Sequence, residues 1–151
     1  MNYEIVELSE KTVVGLSART SNSAPDMHQT ISGLWNDFYG KGVYSSISAK
    51  TTGKALEIYA DYECDEKGAY TTMVGCETTD AAHLPDGASN LVIPAGKYAK
   101  FVVRGNMVEA CVAVWEELWK MDLPRTFVCD FEEYQNADAD NCEIHMYIGI
   151  R

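Results

Sequence analysis

The chain has 151 residues, 46% of them hydrophobic and 23% charged, with a formal net charge of −11. That length suits one domain, residues 1–151, whose core needs no staples. The charge argues against direct binding of nucleic acid or anionic lipid, which call for clustered Lys and Arg, and is compatible with attraction of cations.

In chain order, residues 3–8 and 11–19 alternate and are rich in Val and Ile, which predicts strands with a bend at Glu10-Lys11. Ser21 to Pro25 is a loop, and Pro25 suits the first turn of a helix. Residues 26–39 follow the spacing of one buried helix face, and Gly40 and Gly42 stop it. Residues 55–63 and 70–77 read as strands around the turn Asp65-Glu66-Lys67-Gly68. The polar stretch Thr78 to Asn90, with Pro85-Asp86-Gly87, is the best linker. Beyond it come strands near 90–94 and 97–104. A helix follows from Asn106, whose spacing to Glu109 resembles a capping box, to about Lys120. Strands near 127–135 and 142–150 flank the Asn/Asp-rich turn 136–141.

One pattern occurs twice. Met27, Ile31, Leu34, Trp35 and Phe38 recur 80 positions later as Met107, Cys111, Val114, Trp115 and Leu118. Each helix leads to an acidic–aromatic strand, Leu56-Glu57-Ile58-Tyr59 and Phe131-Glu132-Glu133-Tyr134, and then to a strand with an apolar-Gly step at Gly75 or Gly149. The expected fold is α+β: two strand–helix–strand–strand units (pseudo-repeats 1–80 and 88–151) form one antiparallel sheet with two helices and pseudo-two-fold symmetry. The seam between the units is a natural place for a ligand.

Alternate strand residues share a face, which sets Glu132 with Tyr134 and, on the last strand, His145 with Tyr147. Gathering these four on one face would frame a carboxylate with tyrosines, suited to a cation or to general-base work. An ordinary solvated strand face is the plainer alternative. Aligning the glycines puts Met73 where the second unit has Tyr147, so the copies differ and a site centred on the second half is expected, with Glu132 favoured over Glu57. Trp35 and Trp115 lie on the buried helix stripes and read first as core. Tyr39 and Trp119 fall one position beyond those stripes, and Tyr44 is another candidate groove wall.

Five cysteines (64, 76, 111, 129 and 142) and three isolated histidines show no CxxC and no Cys/His cluster. No disulfide framework, metal or cofactor is expected. There is no nucleophile elbow, P-loop or dinucleotide fingerprint. The N-terminus lacks a signal peptide's regions and no apolar run is long enough to span a membrane, so a cytoplasmic protein is expected.

The entry Ile-Pro-Ala-Gly-Lys-Tyr-Ala-Lys-Phe (93–101), the helix Trp-Glu-Glu-Leu-Trp (115–119) and the ending Asp-Phe-Glu-Glu-Tyr … Ile-His-Met-Tyr-Ile-Gly-Ile (130–150) resemble the GyrI-like effector-binding domains. These are the ligand-sensing halves of AraC-type and MerR-type multidrug-responsive regulators, also found as free-standing proteins. The resemblance implies an aromatic-lined pocket between the halves with one buried Glu that meets cationic lipophilic compounds. It places that Glu on Glu132 and a pocket tyrosine on Tyr147. The candidate ligand-binding residues are Glu132, Tyr147, Tyr134, Tyr59, Trp115, Trp119, Tyr44 and Phe101. Gly149 departs from the proline common in the family's closing strand, and the sensing unit leaves no room for a helix-turn-helix. The leading expectation is a stand-alone module that binds cationic, aromatic or amphipathic small molecules and is not an enzyme. The alternatives are a hydrolase of strained cyclopropane-type electrophiles and an inhibitory or protective protein-interaction module. A protein partner or a homo-oligomer is compatible with either binding role.

Overall fold

A computed structural model describes residues 2–151; Met1, where the expected domain begins, lies outside the described residues. Eight strands and three helices follow in the order β1 (Glu4–Leu8), β2 (Lys11–Ser21), α1 (Met27–Gly40), α2 (Val43–Ser46), β3 (Lys50–Ala60), β4 (Ala69–Thr78), β5 (Ser89–Ile93), β6 (Gly96–Gly105), α3 (Met107–Leu118), β7 (Arg125–Tyr134) and β8 (Cys142–Ile150). Asn106 caps α3, its side-chain oxygen accepting from the amides of Val108 (3.2 Å) and Glu109 (3.1 Å). The short helix α2 was not foreseen. It starts where Gly42, at φ 72°, turns the chain after α1.

All eight strands form one antiparallel sheet in the order β1-β6-β8-β7-β3-β4-β2-β5. The order is palindromic about the β7–β3 pair, with β6, β8 and β7 answering β2, β4 and β3. The edge strand β1 comes from the first half of the chain but pairs with the second, and β5 does the reverse. Only Ser9 and Glu10 join β1 to β2, and only Pro94 and Ala95 join β5 to β6. Such links reach roughly 10 Å, yet they connect opposite ends of the sheet. The sheet must therefore curl until its edges meet.

The curl gives the sheet an inner and an outer face. Inside, Val13, Ile58, Met73, Ile93, Tyr98 and Phe131 pack on one another. At the paired Gly15 and Gly75, a side-chain carbon on Gly15 would fall 2.0 Å from the carbonyl oxygen of Val74, so neither position has room for one. Outside, α1 covers the first half with Phe38 over Val14, Val74 and Cys76, and α3 covers the second with Leu118 near Ala99, Phe101 and Ile144. The helices thus share one face and leave the centre of the sheet between them. Among the described residues, no helix is long and apolar enough to cross a membrane.

Candidate functional site

The β3–β7 register places Glu57 directly opposite Glu132, at the centre of the palindrome. Both point outward into the space between α1 and α3, and both are buried, at 3% and 2% exposure. Burying two carboxylates is costly unless they are hydrogen-bonded, and each repeat supplies the same donors. The Trp35 indole Nε1 donates to Glu57 Oε1 at 2.8 Å, and the Trp115 Nε1 donates to Glu132 Oε1 at 3.0 Å. Tyr59 donates to Glu57 Oε2 at 2.7 Å, and Tyr134 donates to Glu132 Oε2 at 2.9 Å. The tyrosine sits two residues beyond the glutamate because that spacing keeps both on one strand face.

The halves also interlock. The edge of Trp35 meets Tyr134, with centroids 4.9 Å apart, and that of Trp115 meets Tyr59 at 5.5 Å. The Tyr59 hydroxyl lies 3.4 Å from Glu132 Oε1 as well, so one hydroxyl reaches both acids. Thr72 adds a contact to Glu57 at 3.4 Å.

Above the acids is a cavity of about 500 Å³. Its walls are Met27 and Ile31 of α1, Cys111 and Val112 of α3 and Trp119 just beyond the end of α3, and its floor holds Glu57, Glu132, Tyr59 and Tyr134. Burial raises the carboxyl pKa of Glu132, and the nearby charge of Glu57 raises it further, to about 8 despite the opposing hydrogen bonds. Burial raises Glu57 as well. The hydroxyls of Tyr59 and Tyr134 are pushed well above the ordinary tyrosine value by burial and by the acids beside them.

One end of the cavity is closed by an ion pair between Arg125 and Asp130, at 2.8 Å and almost fully buried. Arg125 also lies over the ring of Phe127 at 4.2 Å. Asp130 accepts from the Tyr62 hydroxyl at 2.5 Å and from the backbone amide of Gly149 at 2.9 Å. This accounts for glycine where proline was expected. Proline has no N–H to offer Asp130, and a side-chain carbon at 149 would lie 2.7 Å from the Cys129 carbonyl oxygen.

Of the residues singled out from sequence, Glu132, Tyr134, Tyr59, Trp115 and Trp119 line the cavity. Tyr147 does not. The β7–β8 register pairs Glu132 with Met146 and Phe131 with Tyr147, so Tyr147 lies on the inner face, stacked on Phe131 at 4.6 Å. A one-residue difference in register moves a whole strand's side chains to the other face. For the same reason His145 falls opposite Glu133, and its Nε2 meets Glu143 at 2.9 Å. The glycine-based alignment is corrected too. Glu57 pairs with Val74 and Glu132 with Met146, so the counterpart of Tyr147 is Gly75, not Met73.

Tyr44 and Phe101 also lie away from the cavity. Tyr44 donates to the Gly53 carbonyl at 2.7 Å and packs against Phe38, while Phe101 is in the core beneath α3. Trp35 and Trp115, read first as core, are hydrogen-bond donors to the acids. Glu57, set aside in favour of its twin, is its equal in position. The signal for both was present in the duplicated Trp and Glu-x-Tyr. Nothing in the sequence pointed to Thr72, Tyr70 or Arg125.

A duplicated sheet-and-helix scaffold with a cavity over its central seam defines an effector-binding domain of GyrI-like fold. The chain belongs to the Cass2 family of integron-associated effector-binding proteins, which matches residues 4–150. It is 32% identical over 154 residues to the protein YobU of Bacillus subtilis (strain 168), described as a candidate transcriptional regulator, covering 97% of this chain and 96% of YobU. The integron cassette protein VCH_CASS2 of Vibrio cholerae has a similar crystal structure, with a TM-score of 0.80, 26% identity, and coverage of 99% of this chain and 95% of that one. SAV2435, whose structure was solved bound to tetraphenylphosphonium, shares the fold with a TM-score of 0.76, 22% identity, and coverage of 98% and 94%.

Proposed function

We propose that this protein binds lipophilic aromatic cations in the cavity between α1 and α3, with Glu57 and Glu132 supplying the charge and Trp115, Trp119, Tyr59 and Tyr134 the ring surface. The observation that carries this reading is the pair of buried carboxylates whose hydrogen-bond donors are all neutral. Such a pair is left with uncompensated negative charge in a low-dielectric place, and a ligand cation supplies the missing partner. The surrounding rings attract the same kind of ligand through their faces. The cavity volume falls in the range of small-molecule sites. SAV2435, which shares the fold, was solved with such a cation bound.

Calorimetric titration with tetraphenylphosphonium and with the neutral triphenylphosphine oxide tests this. The cation is expected to bind at least about tenfold more tightly, the usual worth of a charge-assisted contact. Equal affinities would contradict the reading.

A further inference from the structure

The central feature is a pair of acids, where a single carboxylate would suffice for a single charge. Glu57 and Glu132 face each other across the β3–β7 ladder under one tyrosine hydroxyl. Among the described residues lining the cavity, the basic side chains are His28 and Arg125. His28 is exposed at the mouth, and Arg125 is held by Asp130. The protein therefore stabilises one negative charge at the pair far better than two. Like charges this close in a dry site share a proton.

We propose that Glu57 and Glu132 act as one unit whose charge adjusts to the ligand: the pair keeps its proton against a singly charged cation and releases it to solvent when a doubly charged one binds. This rests on the cavity being a cation site. The balance is simple. A pair of net charge −1 cancels a monocation, and the proton has no reason to leave. A dication cancelled only once would bury a net positive charge. Loss of the carboxyl proton to buffer makes the pair −2 and restores neutrality. The site then takes both mono- and dicationic aromatic ligands, and its preference between them depends on pH.

The other ionisable groups facing the pair must be accounted for. From β3, the turn between β3 and β4, β4 and β7 come the hydroxyls of Tyr59, Tyr62, Tyr70 and Tyr134, all pushed upward by burial, Tyr70 to about 12. From α3 comes the Cys111 thiol, likewise pushed upward by burial. These groups stay neutral near pH 7. Glu66 of the β3–β4 turn and Glu116 of α3 stand at the wall, and exposed His28 of α1 at the mouth. Histidine ordinarily titrates near the window of interest, so the experiment is repeated in His28→Gln.

Two probes of matched shape make the test: N-methyl-4-phenylpyridinium, with one charge, and N,N′-dimethyl-4,4′-bipyridinium, with two. Each is titrated calorimetrically at pH 7 in phosphate and in Tris, whose different ionisation heats report protons released. The monocation is expected to release close to none and the dication close to one. Between pH 6.5 and 7.5 the dication's affinity should rise about tenfold, as release of one proton requires, and the monocation's should stay nearly flat. The same contrast is expected in His28→Gln. Dication binding without proton release, equal release by both probes, or monocation binding with no dication binding at pH 8 would each overturn the inference and leave the cation site standing. If neither cation binds at any pH, the underlying reading falls instead.

Discussion

The two halves of the molecule present the same Trp, Glu and Tyr to the seam but set them against different neighbours. In the first half, Thr72 lies opposite Tyr59 and reaches Glu57. In the second, the equivalent position opposite Tyr134 is Ile144, fully buried. One carboxylate thus has a threonine on the neighbouring strand where the other has an isoleucine. Both carboxyls are buried alike, so the two-fold arrangement is broken by one polar neighbour and not by exposure. Burial raises both carboxyls, and the charge of Glu57 raises Glu132 further, to about 8, so the pair as one unit holds a proton near neutral pH. One polar-for-apolar exchange thus distinguishes the surroundings of two otherwise equivalent acids.

The largest expected effect breaks this difference directly. Glu57→Gln removes the carboxylate that has the Thr72 contact, and cation affinity at pH 7 should fall about 30- to 100-fold. Glu132→Gln leaves Glu57 with its three donors and should cost about tenfold. Fluorescence titration with a cationic dye checks this, and equal losses would mean that the halves are equivalent.

The next effect is on stability. Both carboxyls sit above their ordinary value in the folded state. From the ordinary carboxylate range up to about pH 8 the native protein therefore holds more protons than the unfolded chain, and stability falls as pH rises through that window. Glu132→Gln should flatten this slope and add on the order of 2 kcal/mol at pH 8, with the gain shrinking toward pH 5. Urea denaturation at the two pH values reads it out. A slope unchanged by the substitution would mean that Glu132 does not titrate there.

Trp35→Phe and Trp115→Phe each remove one indole donor while keeping a ring, at an expected cost of about 1 kcal/mol in urea unfolding. The Trp115 change should also weaken cation binding more, because Trp115 lines the cavity and Trp35 does not. The smallest effect is expected at Tyr147. Tyr147→Phe keeps the stack on Phe131 on the inner face and should leave affinity unchanged. A tenfold loss would place that ring in the site after all.

Much of the scaffold was legible in the sequence. Strand alternation and the helical stripe repeated at Met27 and Met107 give the element order, the α+β class and the pairing of halves. What could not be read was register. Whether Tyr147 or Met146 stands beside Glu132 depends on a shift of one residue in β8, and the alternation of that strand is compatible with both. The aromatic ending drew attention to Tyr147, although the repeated Glu-x-Tyr already implied two equivalent acids. Tyr44 and Phe101 were misplaced for a related reason, since an aromatic side chain suits a core or a pocket wall equally well until its neighbours are known. The Asp130–Arg125 pair joins positions whose meaning appears only when β7 and β8 are aligned.

In the proposed site the paired acids hold the cation. Tetraphenylphosphonium titration of the double variant Glu57→Gln/Glu132→Gln beside the wild type, with circular dichroism to confirm that both are folded, tests it most directly. Loss of at least about 100-fold in affinity, with binding of triphenylphosphine oxide unchanged, is the expected result. A folded double variant that binds the cation as tightly as the wild type would contradict the account.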